Sequence, residues 1–278
     1  PVRVKSGTIA AMNDPADETP DDARDGMKAA AGWIAAAERV TVLTGAGIST
    51  PSGVPDFRSA GSGLWEKYDP MEVASLLAFR HHPDKFFEWV RPLATRVLCA
   101  EPNPAHLALA RLERAGRLLG VVTQNIDNLH ARAGSHCVVE IHGHLREATC
   151  VRCRRVVPTS GLLLAFAETG RVPRCEDCGG ALKPNAILFG EQLPYEAVRQ
   201  AETLFREADL VLVVGSSLEV TPAALFPVQA VNSGARLIIL NRDPTYLDER
   251  ADFILRDDVA EVLPRLIDEA LRESPQAT

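Results

Sequence analysis

Residues 40–49 read Val-Thr-Val-Leu-Thr-Gly-Ala-Gly-Ile-Ser, a short apolar run that ends in a glycine turn. The same pattern, an apolar run followed by small or polar residues, recurs at 118–125, 210–217 and 236–243. Largely continuous apolar runs are typical of strands buried on both faces of a parallel sheet, with helical stretches as the crossovers. We therefore predict an α/β fold with a Rossmann-like parallel sheet. Its ligands would bind beyond the carboxyl ends of the strands.

Two segments interrupt this pattern. Residues 53–96 hold a Gly- and Ser-rich loop followed by helical stretches at 71–79 and 83–97, and residues 145–186 are rich in cysteine and polar residues. We assign both insertions to a smaller domain, with helical and zinc modules, and place the active site in the cleft between the domains. The acidic, Pro-rich residues 1–25 are predicted to be a flexible arm, followed by a helix from Asp25. The large domain then comprises 26–52, 97–144 and 187–272.

The second insertion contains Cys150-Val-Arg-Cys153 and Cys175-Glu-Asp-Cys178, two C-x2-C pairs separated by 21 residues. Four thiolates at this spacing can close tetrahedrally around one zinc ion. Four unrelated thiols are the alternative, which the repeated spacing disfavours. Because a closed all-thiolate site leaves no position for water, the zinc is expected to be structural, and the chemistry must lie elsewhere.

The composition limits the class of protein. A chain of 278 residues with 46% apolar residues can bury a substantial core, and its net charge of -7 argues against a dedicated nucleic-acid binder. Cysteines used for zinc indicate a reducing compartment. No apolar run is long enough for a membrane span, and the N-terminal stretch turns acidic too early for a targeting peptide. We therefore expect a soluble cytoplasmic protein.

The turn Gly45-Ala46-Gly47 resembles a dinucleotide-binding turn, in which backbone N–H groups approach a pyrophosphate at a helix N-terminus. Thr50 replaces the third glycine of that fingerprint, and no acidic residue ends a second strand at the usual distance, so the ordinary dehydrogenase pattern fails. A tight glycine turn without a ligand is the alternative. The following Pro55-Asp56-Phe57-Arg58 favours a ligand, since arginine can bind a phosphate and an aromatic ring can cover another ring.

The tip Gln124-Asn125-Ile126-Asp127 combines amide and carboxylate groups at a strand end. Such groups suit hydrogen bonds to a carboxamide and to ribose hydroxyls. The alternative role for Asp127 is to cap the turn that leads to Leu129 and His130. The alternative role for His130 is that of a structural partner held by Asp127.

Among the seven histidines, His142 is the candidate base. It follows the strand-like run 138–141 and precedes Gly143, so its ring is expected to project from a strand end into the cleft. There an imidazole with a near-neutral pKa can accept a proton. A buried structural histidine is the alternative.

The succession GAGIST, GVPDFR, TQNIDNLH, IHG, the two C-x2-C pairs, FGE, GSSLEV and NRDP runs in order from about residue 40 to 260. This order resembles the sirtuins, NAD-dependent protein lysine deacylases. The resemblance implies a Rossmann-type large domain, a small domain with one structural zinc ion, and NAD consumed as a cosubstrate. The expected products are nicotinamide and O-acyl-ADP-ribose, and the expected partners are acyl-lysine proteins or peptides.

The resemblance also assigns residues to roles. His142 would be the base, with Asn125 and Asp127 completing the catalytic set. The NAD site would comprise Gly45, Ala46, Gly47, Thr50, Asp56, Phe57, Arg58, Gln124, Asn125, Ile126, Asp127, Gly215, Ser216, Ser217, Asn241, Arg242, Asp258 and Val259. The walls for the acyl-lysine peptide would be Ile187, Phe189 and Gly190 on one side and Glu219 and Val220 on the other. The zinc ligands would be Cys150, Cys153, Cys175 and Cys178.

The acyl group is predicted to be neutral. Sirtuins that prefer succinyl or malonyl lysine carry a tyrosine and an arginine three residues apart after the cofactor loop, whereas the stretch 86–91 here reads Phe-Phe-Glu-Trp-Val-Arg and has no tyrosine. We expect acetyl first, with room for longer apolar chains. Two alternatives stay open: a protein mono-ADP-ribosyltransferase on the same scaffold, and a zinc-dependent binding module with a degenerate pocket. The joint presence of Asn125, Asp127 and His142 argues against the second.

Overall fold

The structure, a computed structural model, describes residues 20–57 and 63–273. Most of the predicted arm, residues 1–19, lies outside them. None of the helices in these ranges is long and apolar enough to cross a membrane. The strands are β1 Val40–Thr44, β2 Leu118–Thr123, β3 Val138–Glu140, β4 Gly143–Cys150, β5 Val156–Pro158, β6 Leu182–Ala186, β7 Leu210–Val214, β8 Arg236–Leu240 and β9 Phe253–Leu255. The α-helices are α1 Pro20–Ala36, α2 Pro70–Val73, α3 Leu76–His81, α4 Pro83–Cys99, α5 Pro104–Arg114, α6 Leu129–Arg132, α7 Ser160–Thr169, α8 Tyr195–Glu207, α9 Phe226–Asn232 and α10 Val259–Glu273.

Six strands form a parallel sheet in the order β3-β2-β1-β7-β8-β9. This order is that of the Rossmann fold, in which successive strands are added first toward one edge of the sheet and then, from the centre, toward the other. The four predicted strands are confirmed as β1, β2, β7 and β8. In register, Thr44 lies opposite Thr123 on one side and Val214 on the other. The three segments that follow these strands therefore meet at one edge of the sheet.

Helices cover both faces of this sheet, which explains why β1 and β7 are buried at every position. One face packs against apolar residues of α1, α5 and α10, such as Ile34, Leu109 and Leu266. The other packs against α8 and α9, including Phe205 and Phe226. A fully buried side chain of this size contributes about 1.5–3 kcal/mol to folding, so the two layers provide a stable base for the sheet edge.

Two helix boundaries differ from the sequence predictions. Helix α1 begins at Pro20 rather than Asp25, because proline is tolerated at the first helical position, where its missing N–H would be unpaired anyway. The single helix predicted over 71–79 is two helices, α2 and α3. Between them Ala74 O accepts the N–H of Phe189 at 3.0 Å, and Leu76 N–H donates to Phe189 O at 2.9 Å. The side chain of Ser75 then caps α3 by accepting the Ala78 N–H.

A smaller antiparallel sheet, in the order β5-β4-β6, forms the cysteine-rich part of the chain. An apolar cluster joins it to the helical insertion: Phe87 of α4 and Phe166 of α7 make an edge contact with ring centroids 5.1 Å apart. Gly143 and Ala186 pair at the base of this sheet, close to the predicted ends of the second insertion. These contacts are compatible with one small domain built from both insertions, whose exact boundaries stay a prediction.

Candidate active site

Glycines allow the turn after β1 to pack directly on the turn after β7. Gly47 N–H donates to Gly215 O at 2.9 Å, and a Cβ at Gly47 would lie only 2.8 Å from Gly215 Cα. Gly215 itself has φ +60°, and a Cβ there would lie 2.3 Å from Ile48 N. Both positions therefore require glycine. The Gly47 N–H is used within the protein and is not among the backbone N–H groups that this turn could offer a pyrophosphate.

The element that follows β1 is not the predicted α-helix. Ala46–Ile48 and Thr50–Ser52 form two short 3-10 turns, the second of which holds Pro51 and ends at Gly53 with φ +84°. A proline and a left-handed glycine this close to the strand prevent a regular helix from growing. The expectation of a helix N-terminus at this turn was therefore wrong.

Ser49 links the two polar residues predicted to be catalytic. Its Oγ donates to Asp127 Oδ2 at 2.7 Å and accepts a hydrogen bond from Asn125 Nδ2 at 3.0 Å. The same Asn125 amide also donates to Gly45 O at 3.0 Å. Ser49 is fully buried and was missed by the sequence reasoning. Only the pairing of β1 with β2, which places its turn beside the 124–127 tip, reveals this role.

Asp127 is buried, and its two carboxylate oxygens have different partners. While Oδ2 binds Ser49, Oδ1 accepts the Leu129 N–H at 2.9 Å, which is the capping role considered as the alternative. Burial raises the pKa of this carboxyl, and the hydrogen bonds from Leu129 and Ser49 oppose that rise. The result is a desolvated carboxyl group fixed by donors, an arrangement suited to stabilising a nearby cation.

Two buried histidines lie behind this cluster. His130 Nε2 is 2.9 Å from Thr44 Oγ1, which donates in turn to Thr123 Oγ1, so the suggested pairing of His130 with Asp127 was wrong. The rings of His130 and His106 meet edge to face at 4.8 Å. Burial lowers the pKa of His106 to about 4 and holds the pKa of His130 well below its ordinary value. Both rings are therefore neutral at pH 7, and their lowered pKa values make them weak bases.

His142 occupies the position expected of the base. It is half-buried in the turn after β3, and its Nδ1 lies 3.2 Å from Gln124 O. Its carbonyl accepts the Ile187 N–H at 2.8 Å. The imidazole thus stands where the sheet edge meets the segment that begins at Ile187.

A cleft of about 400 Å³ brings most of the predicted residues together. Those that line it are Gly45, Ala46, Gly47, Asp56, Phe57, Gln124, Asn125, Ile126, Asp127, His142, Ile187, Phe189, Gly190, Gly215, Ser216, Ser217, Val220 and Asn241. Those that are described but do not line it are Thr50, Glu219, Arg242, Asp258 and Val259. Arg58 lies outside the described residues.

A sequence model of the Sir2 family matches residues 45–222. This chain belongs to the Sir2 family. It is 44% identical to the NAD-dependent protein deacylase of Ralstonia nicotianae over 84% of this chain and 93% of that protein. A solved structure described as a structural basis for the mechanism and regulation of Sir2 enzymes is 43% identical to this chain. The comparison gives a TM-score of 0.85 and covers 90% of this chain and 99% of that one. Another holds a deacetylated p53 peptide and 3'-O-acetyl ADP-ribose, with 41% identity and a TM-score of 0.82 over 87% and 98%.

At the far end of the cleft, this Sir2-family chain groups three of the residues expected around an adenosine. Arg242 forms an ion pair with Asp258 at 2.9 Å, and Asp258 also accepts the Ala260 N–H at 2.8 Å near the start of α10. Asn241 donates through Nδ2 to Asp243 O at 2.8 Å. The carboxylate of Asp258 therefore holds both the helix start and the arginine.

The opposite wall of the cleft is aromatic. Phe57 stacks on Trp65 with ring centroids 5.0 Å apart, and Trp65 stacks on Trp89 at 5.6 Å. Phe189 meets Trp65 edge to face at 6.0 Å. Phe57 and Phe189 were predicted from the sequence as site residues, whereas Trp65 and Trp89 were not. The apolar spacing of residues 86–97, which continues along the cleft through Leu93 and Val97, was the signal for Trp89.

The four cysteines of the small sheet converge as predicted. Their sulfurs all lie within 4.8 Å of one another, with Cys150 and Cys178 Sγ atoms 3.4 Å apart and those of Cys153 and Cys175 3.6 Å apart. Tetrahedral zinc with Zn–S bonds of about 2.3 Å separates its sulfurs by about 3.8 Å. The donor set therefore fits one zinc ion with all four positions filled by protein.

Proposed function

We propose that this chain is an NAD-dependent protein lysine deacylase that removes acetyl and other neutral acyl groups. The acyl group is transferred to ADP-ribose with release of nicotinamide, which makes the enzyme a transferase. The observation that carries the proposal is the meeting of Asn125, Asp127 and His142 in one cleft, with Ser49 tying the first two together. The names of the relatives agree with this reaction.

NAD is a substrate here, and its ribose supplies the carbon that accepts the acyl oxygen. Asn125, fixed by Gly45 O and Ser49, orients the carboxamide side of the nucleotide. The buried carboxyl of Asp127, in its ionised form, stabilises the positive charge that develops on the sugar as nicotinamide leaves. His142 then takes a proton from a ribose hydroxyl, which lets that oxygen attack the acyl carbon. The bond from that carbon to the lysine nitrogen breaks, the amine leaves as free lysine, and one water molecule supplies the oxygen that completes O-acyl-ADP-ribose. Phe57 shields the reacting face from water.

The acyl-lysine peptide is proposed to lie between Ile187, Phe189 and Gly190 on one side and Glu219 and Val220 on the other. The N–H groups of Ile187 and Phe189 are already bonded to His142 O and Ala74 O. The backbone of Gly190 is therefore the position on this wall with which an extended peptide would pair. An added strand at this point would direct its lysine side chain toward the cleft.

The charges of the cleft support a neutral acyl group. Its described lining includes the carboxylates of Asp56, Asp127, Glu191 and Asp243, and no lysine or arginine occurs in that described lining. A succinyl or malonyl carboxylate would be desolvated there beside like charges, which is unfavourable. Apolar side chains of α4 leave room for chains longer than acetyl.

The organisation and location of the protein complete the proposal. The small domain is taken as 53–96 and 145–186, and it braces the cleft through its zinc ion, while 26–52, 97–144 and 187–272 bind NAD. Partners are acyl-lysine proteins or peptides. The use of reduced thiols for zinc favours the cytoplasm.

Mass spectrometry of acetyl, octanoyl and succinyl peptides, incubated with and without NAD, tests the function. We expect NAD-dependent loss of acetyl and octanoyl groups and the appearance of the matching acyl-ADP-ribose. Label transferred from radioactive NAD to protein, without acyl-ADP-ribose, would instead support an ADP-ribosyltransferase. Succinyl turnover equal to acetyl turnover would contradict the neutral-acyl preference.

A further inference from the structure

One polar atom beside the cleft has no role in the reaction described above. Trp89 of α4 lines the cleft, and its buried indole Nε1 has no hydrogen-bond partner within residues 20–57 and 63–273. Buried donors are almost always paired, and an unpaired one lowers stability. Such a group at a functional site is explained when a ligand supplies the missing acceptor.

The surroundings of Trp89 define what that ligand can be. Its ring stacks on Trp65 and lies 5.9 Å from the ring of Phe86, and Val90 and Leu93 extend the same apolar wall. The described lining of the cleft offers carboxylates but no lysine or arginine to hold an anion. The acceptor that fits is therefore a neutral oxygen on an otherwise apolar chain.

We propose that Trp89 selects acyl groups that carry a hydroxyl or keto oxygen on the chain over plain acyl groups of the same length. This inference rests on the proposed deacylase function, because it concerns the acyl group of the same substrate. The indole N–H donates to the acyl oxygen. The described wall around the indole is apolar and offers this N–H no other acceptor. A plain chain leaves the donor unpaired, so it gains less on binding.

Three pairs of lysine peptides test the proposal: propanoyl and 2-hydroxypropanoyl, butanoyl and 3-hydroxybutanoyl, pentanoyl and 4-oxopentanoyl. We expect the oxygenated member of at least one pair to have a kcat/KM about fivefold or more above its plain partner, as one added hydrogen bond allows. In Trp89→Phe, which keeps an aromatic ring but has no N–H, that ratio should fall to about one. In the matched control Trp65→Phe the ratio should persist, because Trp65 belongs to the same stack but its indole nitrogen is not a buried, unpaired atom.

Wild-type measurements keep the test informative if a variant misfolds. A single fixed donor should distinguish the two enantiomers of 3-hydroxybutanoyl lysine, since only one directs its oxygen toward the indole. The proposal is overturned if the plain acyl group is equal or better in every pair, or if the ratio survives Trp89→Phe. Absence of NAD-dependent turnover for every peptide, acetyl included, would reject the deacylase function itself, and the two failures are therefore distinguishable.

Discussion

The two walls of the cleft are built in different ways. The wall at the sheet edge is polar, and its side chains bond to one another: Ser49 binds both Asn125 and Asp127 on top of strands that are buried throughout. The small-domain wall is aromatic, and the sheet beside it has a minor core of Ala148, Leu182 and the cysteines. The first wall is held by burial and can place charges accurately. The second is held by ring stacking and, in our proposal, by zinc, and there it would select the substrate and exclude water.

The largest expected effect comes from removing the zinc. With so few buried apolar residues, the β5-β4-β6 sheet relies on a metal whose binding contributes about 10–16 kcal/mol in small structural sites. Chelation, or Cys175→Ser, should abolish measurable deacylation. Hydrogen exchange should show lost protection over 143–186 and retained protection in β2 and β7. The exposed thiol of Cys99 provides the control, since Cys99→Ser should leave both unchanged. Full activity after zinc removal would show that the small sheet stands without its metal.

His142 lies where the two walls meet, and replacing it should separate chemistry from structure. A general base contributes about 10²–10⁴-fold to a rate, so His142→Ala should lower kcat at least about 100-fold. Its ring is half-buried, so the melting temperature should change little. The exposed His136, before β3, is the matched control, and His136→Ala should keep full activity. Formation of acyl-ADP-ribose measures the effect, and an unchanged rate would exclude His142 as the base.

Replacing Asp127 tests whether its buried carboxylate lowers the stability of the folded protein at neutral pH while it supports the reaction. Because burial raises the pKa of its carboxyl, the neutral form is favoured in the folded protein. The stability from this group is present at acidic pH and is lost as pH rises through the folded pKa. Asp127→Asn imitates the neutral form, so at pH 7 it should raise the melting temperature by about 2 °C and lower kcat about 100-fold.

The temperature difference between Asp127→Asn and wild type should shrink as the pH falls, because the wild-type carboxyl itself becomes protonated in acid. Asp209, which caps the backbone N–H groups of Glu38 and Arg39 in a loop away from the cleft, is the control. Asp209→Asn should leave kcat unchanged. A variant at Asp127 that is less stable than wild type at pH 7 would show that its hydrogen bonds outweigh its desolvation.

The two walls also differ in how far sequence could predict them. The apolar runs predicted β1, β2, β7 and β8 closely, because short, continuous apolar runs that end in small or polar residues are typical of strands buried on both faces. The cysteine spacing likewise predicted the convergence of four sulfurs. The break between α2 and α3 could not be predicted, since it depends on hydrogen bonds to Phe189, more than a hundred residues later in the chain.

The links inside the polar wall were missed for the same reason. Ser49 meets Asn125 and Asp127 only because β1 and β2 are neighbours in register, and a serine in a glycine turn gives no sign of that alone. The paired buried histidines are a further case. The sequence does not distinguish His106 from other helix residues, whereas in the structure its ring meets that of His130 edge to face beneath the site. Local patterns thus predict elements, and the tertiary contacts decide which side chains meet.

The smallest expected effect concerns acid, and it tests whether the polar wall is the acid-sensitive one. His106 has its pKa lowered to about 4 by burial, against 6.5 in an unfolded chain. Between these values the unfolded chain binds a proton that the folded protein does not, so the stability from neutral His106 is present above pH 6.5 and lost as pH falls. By linkage this amounts to at most about 2 kcal/mol between pH 7 and pH 5.

In His106→Gln, the urea midpoint should therefore fall less steeply with acid than in wild type. His82→Gln, at an exposed position, should follow the wild-type slope. Zinc release at low pH acts equally on all three proteins, so it cannot produce a difference between their slopes. Parallel slopes would mean that acid destabilises the metal-held wall first.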